Sequence, residues 1–247
     1  MKKHFPPMMD CLGGGHIFCI FATWVVIFLL VPVWLPLISE GLQENQTIMA
    51  WFETVFIALI GIVMLLVMKE HLSDGFLGVQ INGKQILKTA GIAAGLMAAW
   101  VAISAELLML LKLNPGIVFA VFPVAPTNVL QIPGMIVSAN PIFGLLIMTL
   151  LVPFGVCGMF YASTFAPICT RNTWLAYLIV SVVILLAALI DAFWYWGMDS
   201  AMITYVIRLP VHLFACWSYQ KTDNVWTPIF ALAAFNLLMS VMAVIVL

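Results

Sequence analysis

The chain has 247 residues, 65% of them hydrophobic and 8% charged, with a formal net charge of −1 and a mean hydropathy of +1.17. Those proportions exclude an ordinary soluble globule and point to a polytopic membrane protein. The near-neutral balance names no ligand, and without a basic patch interleaved with aromatics nothing supports nucleic-acid binding.

A membrane span needs ~20 apolar residues, because the hydrocarbon core is ~30 Å thick and a helix rises ~1.5 Å per residue. Apolar runs divided by polar breaks give seven candidate helices, at roughly 16–38, 48–68, 86–111, 141–168, 173–196, 201–219 and 226–246. The expected fold is all-α: a single transmembrane domain over 1–247, a polytopic bundle of about seven helices. The opening MKKHFPPMMDCLGGG is positive and precedes an apolar run, as a signal peptide would. The run from Ile17 to Ile38 is nevertheless long enough to span, and no small-x-small cleavage site follows it, so a retained first helix is expected. Lys2, Lys3, Lys69, Lys84, Lys88, Arg171 and Lys221 fall on one side of that layout, whereas the opposite loops carry Glu40, Glu44, Asp199 and a single cation, Lys112. The positive-inside rule then places the N-terminus in the cytoplasm and the C-terminus outside, with the plasma membrane as the expected location.

Between the second and third candidate helices, KEHLSDGFLGVQINGKQILK at 69–88 is the longest plainly polar segment. Its Asn82-Gly83 pair reads as a turn, and the segment as a cytoplasmic loop. The stretch 114–140 is apolar yet holds Pro115, Pro123, Pro126, Pro133 and Gly134, so a continuous helix is not expected. It is either an extracytoplasmic loop over the bundle rim or a re-entrant piece. In the second case it lines something, because irregular backbone at membrane depth needs protein or water partners.

Cys11, Cys19, Cys157, Cys169 and Cys216 are odd in number, mostly inside apolar runs, and form no CxxC. Neither a disulfide scaffold nor a structural zinc site is expected. Glu53, Glu106, Asp191, Arg208 and His212 lie in or at the edges of candidate spans. A charge at the bilayer centre costs ~3 kcal/mol or more, so each should face the bundle or an interface. Arg208 and His212, spaced i, i+4, share a helix face from which they reach toward Asp191 or Glu106. One reading is an interhelical ion pair; the other is a substitute site for a metal or a polar ligand group, with Asn236 as a further member. One histidine and scattered acids fall short of a three-ligand zinc set, so no metal or other cofactor is expected, and zinc belongs only to the second reading. The methionines and tryptophans, Trp194 and Trp196 among them, are expected to meet lipid and its interface. His16 and His71, near the expected membrane surfaces, need no ligand role.

The most ordered pattern of features is in WSYQKTDNVWTPIFALAAFNLLMS, Trp217 to Ser240. A polar turn, Lys221 to Asn224, separates two apolar runs. Trp226 sits where an interfacial anchor would, Pro228 occupies the first turn of a helix where its missing N–H costs nothing, and Asn236 is an amide inside an apolar span. This order resembles the closing motif of the CAAX protease and bacteriocin-processing (CPBP) family of intramembrane proteases. Tyr219, Lys221, Thr222, Asn224, Trp226, Pro228 and Asn236 fit its register without a gap. Asp223 stands where glycine is usual and Leu232 where a histidine belongs.

On the same resemblance, Pro153 and Phe160 align the fourth candidate helix with the family's glutamate-pair motif. Val156 and Cys157 then occupy the two glutamate positions and Tyr161 the arginine position. Trp174, Ala176 and Ser181 fit the next motif, with Leu185 replacing a phenylalanine and Leu189 the other histidine. The resemblance covers about 141–240. It implies a CAAX-protease-like bundle in which, of the hydrolytic set, Asn236 alone remains. Water at neutral pH needs a base or a metal to become a nucleophile, and valine supplies neither. Asn236 itself reads either as the remnant of an oxyanion-stabilising pair or as interhelical glue worth ~1 kcal/mol.

The expected function is therefore that of a pseudoprotease. It would bind a membrane peptide, a prenylated or other lipid-like chain, or a partner membrane protein in the family's substrate cavity, in an immunity or regulatory role. Two rivals differ in class. An active metalloprotease or CAAX endopeptidase would use Glu106, Asp191 and His212 in unorthodox roles, and a small transporter or channel would need a polar pathway or inverted repeat that the sequence does not display.

Overall fold

The computed structural model describes residues 46–122, 137–138, 140–191 and 198–246. The candidate helix at 16–38, Cys11, Cys19, His16, Trp194 and Trp196 lie outside the described residues, as do 123–136 of the proline-rich stretch. Among the described residues every regular element is a helix.

Helix α1 runs Gln46–Val67. Ile57, Ile60 and Met64 recur at helical spacing and are buried, while Val55, Leu59 and Leu66 on the opposite side are exposed. Apolar residues outside as well as inside are what a helix shows when its outer solvent is hydrocarbon. α5, Thr173–Asp191, repeats the pattern, with Ala176, Val180 and Ile184 buried and Trp174, Leu178 and Val182 exposed. Asn172 starts it by accepting the Leu175 N–H on its Oδ1 at 3.1 Å.

Helix α2, Lys69–Leu110, is 42 residues long and begins where a polar loop was expected. The segment 69–88 is helical on both sides of Asn82, whose non-helical backbone (φ −123°, ψ 24°) kinks the chain where the turn was expected. Polarity misleads here because the inner face of this first leg is built from His71, Leu72, Gly75 and Gly78, which are buried at helical spacing yet carry little apolar side chain. The leg packs by close approach rather than by bulk. Beyond the kink the inner face becomes Ile86, Ala90, Ala93 and Met97. Lys112 ends the helix in the left-handed region (φ 58°), with Leu113 N–H donating to the Leu108 carbonyl at 2.8 Å and Lys112 N–H to Met109 at 2.9 Å. A short α3, Gly116–Val121, follows.

Helix α4, Pro141–Cys169, is segmented. Two π-helical stretches, Ile147–Leu151 and Cys157–Phe165, each end just before a proline, Pro153 or Pro167. A proline ring clashes with the carbonyl four residues back and offers it no N–H, and a widened turn relieves both problems. α6, Met198–Thr222, carries Pro210 internally. Near that break the Ile207 carbonyl accepts the Trp100 indole N–H at 2.9 Å, so α2 supplies a donor where the helix is interrupted. α7 runs Trp226–Val246.

α6 packs between α2 and α5, α7 packs on α2 and α4, and α1 packs on α4. One apolar cluster runs through these contacts. Lys69–Leu110, Pro141–Cys169 and Trp226–Ile245 are three helices long and apolar enough to cross a membrane, and Thr54–Val67 and Thr173–Leu186 are shorter apolar helices.

Candidate functional site

The widened turn before Pro153 frees the backbone of α4 to bond sideways. The Met148 carbonyl accepts from Asn236 Nδ2 of α7 at 3.0 Å. Asn236 is fully buried, as are Leu232, one turn earlier on α7, and Val156, Cys157 and Tyr161 on α4. Val156, Cys157, Tyr161 and Leu232 all belong to the main apolar cluster. The bond from Asn236 to α4 suits its reading as interhelical glue. Leu189 and Leu185, the remaining register positions, are half-buried on α5.

His212 has a partner that the sequence did not indicate. Its Nδ1 shares a hydrogen bond with the Tyr161 hydroxyl at 2.8 Å, and the Phe160 ring lies 5.3 Å from the imidazole. Tyr161 projects this neutral partner from within the second π-helical stretch. A tyrosine and a histidine in separate apolar spans each need a partner in hydrocarbon; that was the only signal available. Arg208 is buried beside His212 on α6. Glu106, expected to reach toward them, is exposed on α2, and the side chains of Glu53 and Asp191 lie outside the described residues. Among the described residues no three or more His, Cys, Asp or Glu side chains are grouped to hold a metal ion.

A second locality is polar and open. The kink of α2, the end of α4, the start of α5 and the α6–α7 turn enclose a cleft of about 480 Å³. Its position is set by a clamp. Asn224 Nδ2 donates to the Gly75 carbonyl at 2.9 Å, Asn224 Oδ1 accepts the Trp226 N–H at 2.9 Å, and the Trp226 indole donates to the Leu72 carbonyl at 2.8 Å. Trp226, expected as an interfacial anchor, is instead tied to α2, with its ring against Phe76, Phe154 and Phe230. Gly75 permits this approach, since a Cβ there would stand 3.1 Å from the Trp226 ring. Asp223 turns the chain in the left-handed region (φ 51°). Thr222 and Thr227 bond across the turn at 2.6 Å.

No family model, no curated protein and no solved structure matches this chain.

Proposed function

We propose that this protein is a membrane-embedded, CAAX-protease-like helical bundle that binds rather than cleaves. Its N-terminus would face the cytoplasm and its C-terminus the outside. Its ligand would be a membrane peptide, a prenylated or other lipid-like chain, or a partner membrane protein, in an immunity or regulatory role. The observation that carries the reading is the burial of apolar side chains at the positions where hydrolysis would need a carboxylate and a histidine. Val156, Cys157, Tyr161 and Leu232, which stand at the motif positions of the resemblance, are each fully buried, and neither the valine nor the leucine can deprotonate or polarise a water. The left-handed backbone at Asp223 supports the register. It is the conformation that glycine adopts without penalty, and glycine is the residue the motif carries there. The exposure of Glu106 against the burial of His212 weighs against a protease assembled from those two groups.

The test is incubation of the purified protein in nanodiscs with a fluorogenic prenylated CAAX-type peptide, with and without added zinc. The expected outcome is peptide binding with no turnover. Cleavage that disappears in His212→Ala would overturn the reading. Retention in the membrane pellet after alkaline carbonate extraction checks the embedding separately.

A further inference from the structure

The cleft is hydrophilic at the end of an otherwise hydrophobic bundle, and its polar groups divide into two sets. Asn224 and Thr222 are consumed by the clamp, and the Thr170 hydroxyl bonds to the Pro167 carbonyl. These hold the walls. Asn82, Gln85, Gln220 and Lys221 also line the cleft and are exposed. The Gln220 side-chain oxygen accepts the Tyr177 hydroxyl at 2.9 Å, which turns its amide to fixed use and leaves its NH₂ as a donor. Three carboxamide groups and an ammonium therefore line the cleft from α2 and the end of α6, while Asp223 contributes a carboxylate from the α6–α7 turn. One charge of each sign, with amide donors in the same lining, matches a zwitterion better than a simple anion.

Surroundings identify the source of that zwitterion. The cleft lies between α2 and the start of α5, and both present apolar side chains outward just beyond it. Leu87 on α2 is 58% exposed, and on α5 Trp174 and Leu178 are 86% and 60% exposed. Lys84, Lys88 and Arg171 are exposed on the same end of the bundle. A polar cup with apolar rims leading from it is the shape of a headgroup site whose acyl chains run down the outside of the helices.

We propose that the cleft binds the headgroup of an amino-phospholipid, with the phosphate against Lys221 and the amides of Asn82 and Gln85, and the ammonium toward Asp223. The proposal rests on the membrane embedding argued above and on nothing about proteolysis. It places a ligand at the polar end of the bundle, away from the packed Val156–Leu232 core.

Native mass spectrometry of the detergent-purified protein, titrated separately with phosphatidylethanolamine, phosphatidylglycerol, phosphatidylcholine and soluble phosphoethanolamine, tests it. Phosphatidylethanolamine is expected to bind at least about tenfold tighter than the other two lipids, since each loses a charge-assisted contact or the primary ammonium. Lys221→Gln and Asp223→Asn should each weaken it by about tenfold, and Gln85→Leu less. Lys88→Gln, on the same end but outside the lining, should leave it unchanged. Asn tolerates the left-handed backbone at 223, and 82, 85 and 221 are exposed, so these variants are expected to fold; unaltered melting confirms it. Equal binding of the three lipids, or affinity unchanged in both Lys221→Gln and Asp223→Asn, overturns the proposal. Soluble phosphoethanolamine binding as tightly as the lipid overturns the lipid source. Loss of the protein from carbonate-washed membranes would instead mark failure of the embedding.

Discussion

Asn224→Ala should loosen the whole polar end of the bundle. The side chain is buried and makes one hydrogen bond to the Gly75 carbonyl and one from the Trp226 N–H, both 2.9 Å. At ~1 kcal/mol net for each bond, the loss comes to about 2 kcal/mol. For a chain of this size that corresponds to a fall in melting temperature of about 4–8 °C. Asn224→Asp sharpens the test. It keeps an oxygen for Trp226 N–H but replaces the donor with an acceptor facing the Gly75 carbonyl, so it should melt at least as low as the alanine variant. Trp226→Phe removes the indole bond to Leu72, ~1 kcal/mol, and also shrinks the ring packed against Phe76, Phe154 and Phe230, so it should cost about as much as the alanine variant at 224, ~2 kcal/mol. The assay is thermal unfolding in detergent micelles followed by loss of the monodisperse chromatographic peak. An alanine variant within about 1 °C of wild type, or an aspartate variant as stable as wild type, would show that the clamp does not organise this end.

Other perturbations separate packing from polarity. Tyr161→Phe leaves His212 Nδ1 buried without its 2.8 Å partner, at a cost of about 1–2 kcal/mol. Adding His212→Leu should recover part of that loss, and a double-mutant cycle with zero coupling would refute the pairing. Gly61→Ala places a Cβ 2.7 Å from the Leu151 carbonyl oxygen and 2.9 Å from its carbon. Backbone cannot yield cheaply, so α1 and α4 should separate at a cost of about 1–3 kcal/mol, read as a lower melting temperature. Gly158→Ala meets the Met68 sulfur at 2.7 Å and the Met64 sulfur at 3.1 Å, but flexible thioether tips swing aside and alanine favours helix by about 1 kcal/mol, so melting should stay near wild type. Asn236→Leu should lower stability by ~1 kcal/mol through its bond to Met148, without changing lipid binding at the distant cleft.

The sequence by itself determined the all-helical character and most helix positions. Runs such as 46–67, 141–169 and 226–246 are apolar on every face, and backbone in hydrocarbon must satisfy its own hydrogen bonds, which leaves the helix as the open-chain solution. It also determined the polar turn at 221–224 and the helix start at Trp226, because both are set by local chemistry at adjacent residues. The leg at 69–81 was not legible, since glycines and a histidine bury themselves there only because Asn224 and Trp226, some 150 positions along, reach back to them. Tyr161 and His212, 51 residues apart, likewise become a pair only when α4 and α6 cross. Val156, Cys157 and Leu232 are apolar in the sequence, and the packing of the bundle is what buries them in its main cluster. Local pattern specifies what each segment buries; which groups meet across the bundle depends on how the helices cross, and that is a property of the tertiary structure alone.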